Sequence, residues 1–312
     1  MTAAQVEAAW QDTKLAQVLY HDWEAQTYDE KWSISFDQRC IDYAADRFRG
    51  IAGSGGWPYP TSLEIGCGTG FFTLNLKLAG VLDEGHVSDI SPGMVAAASR
   101  NAAALGFEVS GRTADAETLP YGDDTFDLVV GHAVLHHVPD VGLAFREMLR
   151  VLKPGGRLVI CGEPTRYGDL VARRLSRATW WLATRVTALP PLRDRWARPK
   201  EELDESSRAA ALEAVVDLHT FDPAELAAAV ESAGGSQVET VTDELTAAWL
   251  GWPIRTFEAA VPEDRLGFGW RSFAFRSWRA LSRLDEVLAH VVPAGLFYNV
   301  SVTAVKRGGP AR

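Results

Sequence analysis

The stretch LEIGCGTGFF, residues 63–72, places three glycines within five positions, directly after an apolar segment typical of a β-strand. Glycine at a strand-to-helix turn lets the backbone approach a ligand, and the helix that follows offers free N–H groups. The loop is therefore predicted to hold a nucleotide-like ligand. The dinucleotide fingerprint G-x-G-x-x-G would need glycine at position 71, where this chain has Phe71. The phosphate loop of nucleoside triphosphatases needs lysine after its last glycine, and the next lysine here is Lys77.

Strand-like and helix-like segments alternate on the C-terminal side of this loop. Apolar runs such as FDLVV (126–130) and RLVI (157–160) suit strands buried on both faces of a sheet. Strands that alternate with helices indicate parallel βαβ units. The predicted fold class is α/β, a Rossmann-like doubly wound sheet of seven mostly parallel strands, with N-terminal helices and two helical lid insertions.

Composition narrows the class of protein. The chain has 312 residues, 47% of them hydrophobic, and a formal net charge of −10. An acidic chain repels phosphate backbones, so no nucleic-acid partner is expected. The three cysteines are far apart and form no CxxC pair, which argues against disulfides and zinc and favours a cytoplasmic location. No metal site and no membrane-spanning segment is predicted.

Four blocks in order resemble the class I methyltransferases that use S-adenosyl-L-methionine (SAM). LEIGCGTG resembles their first motif, and VSDISPGMV (87–95) their second-strand motif. ADAETLPYGDDTFDLVVGHAVLHHVPD (114–140) and REMLRVLKPGGRLVI (146–160) are similar to the later strands. The resemblance is strongest to the broad small-molecule group that includes the methyltransferase type 11 and ubiquinone- and menaquinone-pathway enzymes. It implies SAM as cofactor, S-adenosyl-L-homocysteine as product, and a small-molecule acceptor.

The resemblance also implies roles for particular residues. Asp89 lies 19 residues after Gly70, where its carboxylate accepts hydrogen bonds from the ribose hydroxyls. Asp115 and Ala116 match the adenine contact, with the adjacent Glu117 as an alternative carboxylate. Glu64 lies near the methionine end of SAM. Tyr28 closes over the cofactor, with Tyr20 as the alternate, or these rings pack a lid helix onto the domain. The full predicted cofactor set is Tyr28, Glu64, Gly66, Cys67, Gly68, Gly70, Asp89, Ile90, Met94, Asp115, Ala116, Gly131 and His132.

Histidine in GHAVLHHV (131–138) raises the question of acid–base chemistry. His132 ends the fourth strand, at the edge where open α/β sheets bind ligands, and is the candidate catalytic residue. His136 and His137 follow one turn later and resemble a recurring structural feature of this family. Packing or capping is the alternative role for these histidines and for His132. Methyl transfer is an in-line displacement in which positioning does most of the work, so no universal base is required.

The chain divides into a core with additions. Residues 166–200 carry eight Arg and one Lys against two Asp, a local charge of +7, with tryptophans between them. Such a segment either closes the pocket over an apolar acceptor or contacts a membrane surface peripherally. The predicted units are an N-terminal helical lid (1–60), a SAM-binding core (61–165), an Arg/Trp-rich lid insertion (166–220), the core continued (221–245), a second aromatic insertion (246–293), and a closing strand and tail (294–312).

The predicted function is methyl transfer from SAM to a small hydrophobic or aromatic metabolite, on O, N or C. Two alternatives remain at this stage. One is an NAD(P)-dependent oxidoreductase, which the missing glycine at position 71 disfavours. The other is a SAM-binding regulator without turnover. The oligomeric state does not follow from the sequence.

Overall fold

A computed structural model describes residues 12–32, 34–204, 206 and 215–308. The outermost parts of the predicted lid and tail (1–11 and 309–312) and a piece of the first insertion (207–214) lie outside the described residues.

A single seven-stranded sheet forms the centre of the molecule, in the order β3-β2-β1-β4-β5-β7-β6. The first five strands pair in parallel, and the closing strand β7 lies antiparallel between β5 and β6. The predicted fold class is therefore confirmed. The strands are β1 (Tyr59–Ile65), β2 (Leu82–Asp89), β3 (Ser110–Thr113), β4 (Phe126–His132), β5 (Leu152–Pro164), β6 (Gly235–Asp243) and β7 (Asn299–Lys306).

Helices flank both faces of this sheet and cover one of its edges. The N-terminal helices are α1 (Thr13–Glu24), α2 (Tyr28–Trp32) and α3 (Gln38–Ala52). Helices α4 (Phe71–Leu78), α5 (Pro92–Ala104), α6 (Val141–Val151) and α9 (Pro223–Ser232) connect the strands. The insertions form α7 (Arg166–Thr187), α8 (Pro190–Trp196), α10 (Thr246–Ala260) and α11 (Phe268–Leu288).

Apolar strand residues are buried on both faces of the sheet, as the sequence pattern predicts. Phe126, Val129 and Ile160 belong to the cluster that α6 and α9 cover, whereas Leu128 and Val159 face the cluster under α3 and α4. This alternation follows from the two-residue period of a strand. The parallel pairing of β1, β2 and β4 places their carboxyl ends at one edge, where the ligand site of an open α/β sheet lies.

The two insertions pack against each other. Helix α10 contacts both α7 and α11, and the 3₁₀ turn Ala294–Leu296 packs against α7. The insertions thus form one helical cover. No helix among the described residues is long and apolar enough to cross a bilayer.

Candidate functional site

The three glycines of the loop between β1 and α4 have different roles: two are required for packing, and one gives a ligand access to the backbone. All three adopt left-handed backbone angles, with φ of +57° at Gly66, +50° at Gly68 and +90° at Gly70. A Cβ on Gly66 would lie 2.0 Å from Cγ2 of Val134, and one on Gly70 would lie 2.9 Å from Cδ1 of Leu74. A Cβ on Gly68 would meet nothing closer than 3.7 Å. The outer glycines are therefore required by the protein itself, and the middle one leaves room for a ligand.

A large cavity of about 1980 Å³ opens above this loop. All of the predicted cofactor residues line it except Gly70 and Gly131. Gly70 begins α4, and a Cβ on Gly131 would press against Val134 and Ile160, so both positions are governed by packing. The residues brought together are Tyr28, Glu64, Gly66, Cys67, Gly68, Asp89, Ile90, Met94, Asp115, Ala116 and His132.

Asp89 ends β2 with its carboxylate buried beside the loop. Its Oδ2 accepts from the Gly68 N–H and its Oδ1 from the Ser91 N–H, both at 2.9 Å. Burial raises the pKa of Asp89 to about 6. Each oxygen retains a lone pair, so the carboxylate can accept further hydrogen bonds from a ligand's hydroxyl groups.

Glu64 lies one residue before the first glycine and is fully buried. Its Oε2 accepts from the Thr73 N–H at 3.0 Å, and burial raises its pKa to about 8. Nearby in the loop, the buried Oγ1 of Thr69 has no hydrogen-bond partner. Buried polar groups short of partners favour a ligand that supplies them. A cation or ammonium group would suit Glu64, because it would stabilise the charged form.

Asp115 faces the cavity but is already engaged by the N-terminal helix. Lys14 of α1 donates to Asp115 Oδ2 and to Glu117 Oε2, each at 2.6 Å. The second oxygen of Asp115 accepts from the Glu117 N–H at 2.9 Å. Nothing in the sequence around Lys14 indicated this contact, because it joins residues about a hundred positions apart.

Helix α1 also reaches the start of α5. Asp22 Oδ1 accepts from Ser91 Oγ and from the Gly93 N–H, both at 2.7 Å. Ser91 in turn caps α5 by accepting from the Met94 N–H at 3.1 Å. The helical lid is thus fastened directly beside Asp89, a second contact that sequence patterns do not reveal.

His132 lies where β4 ends, among aromatic rings. Its ring centroid is 5.5 Å from that of Phe71 and 5.2 Å from that of Phe72, and its Nε2 is 3.4 Å from the Tyr43 hydroxyl. Burial lowers the pKa of His132 to about 4, with the Arg47 charge acting in the same direction. The imidazole is therefore neutral near pH 7 and has one nitrogen able to accept a hydrogen bond.

His136 and His137 form a separate group further along the same wall. His136 Nδ1 lies 2.9 Å from Oε2 of the buried Glu163, which also accepts from the N–H groups of Val134 and Leu135. Among the described residues, His136, His137 and Asp217 have potential metal-ligand atoms within 4.8 Å of one another. Arg173 pairs with Asp217 at 3.2 Å, so a cation already satisfies this carboxylate. Glu163 orients the turn after β4, a role missed from sequence.

The helical cover supplies the opposite wall of the cavity. This wall is mostly aromatic, with arginine between the rings. Its lining residues include Arg173, Arg177 and Trp180 of α7, Trp252 and Arg255 of α10, and Trp270 and Trp278 of α11.

Comparisons with known proteins place this geometry in a family. Residues 63–160 match the model of a methyltransferase domain. The chain is 34% identical over 185 residues to a demethylmenaquinone methyltransferase of Mycolicibacterium vanbaalenii. The matched region covers 58% of this chain and 70% of that protein. A demethylmenaquinone methyltransferase of Thermus thermophilus is 40% identical over 102 residues, but this covers only 33% of this chain and 46% of the relative.

The fold also matches solved structures. The [4+2]-cyclase SpnF superposes with a TM-score of 0.50 at 23% identity, covering 87% of this chain and 81% of that one. The family model covers the glycine loop and the strands and helices from β1 to β5. The chain therefore belongs to the class I SAM-dependent methyltransferases.

Proposed function

We propose that the protein transfers the methyl group of SAM to a small apolar or aromatic acceptor, held beside His132, and releases S-adenosylhomocysteine. The observation that carries the proposal is a single cavity that joins the glycine loop to an aromatic wall. Its volume of about 1980 Å³ exceeds the roughly 300–1,000 Å³ of an ordinary ligand pocket. It therefore has room for a cofactor and an acceptor together.

The residues around the loop fit SAM. We assign the ribose hydroxyls to Asp89, whose buried carboxylate already accepts one N–H on each oxygen and can accept further hydrogen bonds. We assign the amino-acid end to Glu64 and Thr69, both of which lack hydrogen-bond partners on at least one oxygen. Ile90 and Met94 supply apolar contacts for the adenine, beside Asp115 and Ala116, and Tyr28 lies over Gly68. SAM supplies a methyl group on a sulfonium, already activated for displacement.

Two observations support an aromatic acceptor: the aromatic wall that the helical cover forms, and the substrate named in the relatives' names. Aromatic rings of the insertions line the side of the cavity opposite the glycine loop. The two relatives named above methylate demethylmenaquinone according to their names. An aromatic acceptor of naphthoquinol type satisfies both observations.

Turnover tests the proposal, because a shared fold does not prove a shared reaction. The protein is incubated with methyl-labelled SAM and chemically reduced demethylmenaquinone, or with a panel of hydroxylated aromatic compounds. Labelled product on any of these acceptors supports the proposal. SAM binding without any labelled product would favour a SAM-binding regulator, and NADH binding without SAM binding would favour an oxidoreductase.

His132 is proposed to accept a hydrogen bond from the acceptor. Replacing it by phenylalanine, which keeps a ring but removes both nitrogens, should lower kcat/KM for the acceptor by about 10²-fold or more. SAM affinity should change much less, because the proposed hydrogen bond is made to the acceptor. Tyr43→Phe is the matched control, because it removes only the hydroxyl beside Nε2. Equal activity of wild type and His132→Phe would exclude the proposed contact.

SAM affinity should weaken in acid. The folded protein holds the pKa of Asp89 at about 6, above its ordinary value, so the carboxylate takes up a proton as the pH falls through 6. A ligand that needs the charged carboxylate then loses up to about tenfold in affinity per pH unit below that value. Isothermal titration between pH 5 and pH 9 measures the effect. Glu64, whose pKa is raised by burial to about 8, adds a second dependence that extends above pH 7. Asp89→Asn should make the profile below pH 6 less steep by up to about tenfold per pH unit; an equally steep profile in that variant would assign this part of the dependence to another group.

A further inference from the structure

Helix α7 has two faces with different surroundings. Its inner face lines the cavity with Arg173, Ser176 and Trp180. Its other face carries large apolar side chains that remain in solvent, among them Tyr167 and Trp181, each 56% exposed, and Leu182 at 55%. The adjacent residues Trp180 and Trp181, about 100° apart around the helix axis, thus have different surroundings, the cavity and the solvent.

The exposed residues lie on one side of the helix at helical spacing, in two groups with the exposed Arg174 between them. We call this set the outer stripe: Tyr167, Leu170, Trp181, Leu182, Val186 and Leu189, with Arg174 and Arg185 between them. Exposed Leu296, on the 3₁₀ turn that packs against α7, adds to it. A helix face that exposes this many large apolar side chains indicates an interaction site.

Charge identifies the partner. Arg185 lies over the Trp181 ring, with its guanidinium carbon 4.4 Å from the ring centroid. Neither Arg174 nor Arg185 forms an ion pair with any carboxylate in the described part of the chain. The segment 166–200 carries a local charge of +7 although the whole chain carries −10. Exposed cationic and large apolar side chains on one helix face are complementary to an anionic lipid surface, which accepts the rings at headgroup depth.

We infer that the outer stripe docks the enzyme onto an anionic lipid bilayer, with α7 lying in the interface plane. The inner face of the same helix then forms the wall between the bilayer and the cavity, which gives an apolar acceptor a short path into the site. The inference does not depend on which acceptor is methylated, because its test measures binding and not turnover.

Vesicle co-sedimentation tests the docking. The full chain should sediment with vesicles of equimolar phosphatidylglycerol and phosphatidylcholine, and much less with phosphatidylcholine alone. Leu182→Ser with Trp181→Ser should weaken binding by about tenfold or more. Arg174→Gln and Arg185→Gln should each weaken it by about fivefold, and added salt should do the same.

Matched controls lie on the core, away from the cover. Leu78→Ser, at the exposed end of α4, and Arg100→Gln, exposed on α5, should leave binding unchanged. Circular dichroism melting shows that each variant folds. Equal binding by stripe and control variants, or equal binding to both vesicle types, would overturn the proposal. So would stripe variants that convert a dimer to a monomer in size-exclusion chromatography while binding to vesicles stays unchanged, because the stripe would then cover a second copy.

Discussion

Replacing Gly66 by alanine is expected to lower the free energy of unfolding by about 2–5 kcal/mol. The left-handed backbone at φ +57° costs an alanine roughly 1–2 kcal/mol. The new methyl group would also lie 2.0 Å from Cγ2 of Val134, and forcing extra atoms into a packed core costs a further 1–3 kcal/mol or so. Val134 has little freedom to move, because its N–H is held by the buried Glu163.

Gly68→Ala is the matched control for this prediction. Its φ of +50° gives a similar backbone cost, but its Cβ would have no neighbour within 3.7 Å. The expected loss is therefore only about 1–2 kcal/mol. Urea denaturation of both variants without cofactor measures the difference. If the two substitutions cost the same, the contact with Val134 does not govern position 66.

Removing the Asp89 carboxylate is expected to have the largest effect on cofactor binding. Asp89→Ala should weaken SAM binding by about 1–3 kcal/mol, the worth of charge-assisted hydrogen bonds to a ligand. The Gly68 N–H, which now donates to Asp89, would also lose its acceptor, so the loop would be held less firmly. Isothermal titration with SAM and with S-adenosylhomocysteine measures both affinities.

Asp83→Ala provides the comparison on the same strand. Asp83 lies near the amino end of β2, exposed and at the far edge of the sheet from the cavity. Its removal should leave SAM affinity within the error of the titration. Unchanged affinity in Asp89→Ala, with an intact circular dichroism spectrum, would remove Asp89 from the cofactor site.

The conformation of the glycine loop and the position of the site residues at strand ends were predictable, because both depend on neighbouring residues. Gly66, Gly68 and Gly70 all adopt the positive φ that only glycine adopts readily, and Ser91 caps α5, whose first residue is Pro92. Asp89 and His132 end β2 and β4, and parallel strands bring such ends to one edge. The prediction that they converge on one cavity needed no knowledge of distant contacts.

Contacts between distant segments were not predictable. Lys14 pairs with Asp115, Asp22 with the start of α5, and Glu163 with the turn that carries His136. Each joins residues whose separation in the chain carries no periodic signal. The unusual pKa values of Glu64, Asp89 and His132 likewise come from burial, which depends on every element packed around them.

The sequence by itself determined the α/β fold and the family, because glycine conformation, strand period and motif spacing are properties of neighbouring residues. Only the tertiary structure decided which side of each insertion faces the cavity. The Arg- and Trp-rich segment suits both a lid and a membrane contact: one face of α7 lines the cavity, and the face proposed for membrane contact is left in solvent. The physical reason is that a helix has two sides: packing against α10 assigns one to the cavity and leaves the other to solvent.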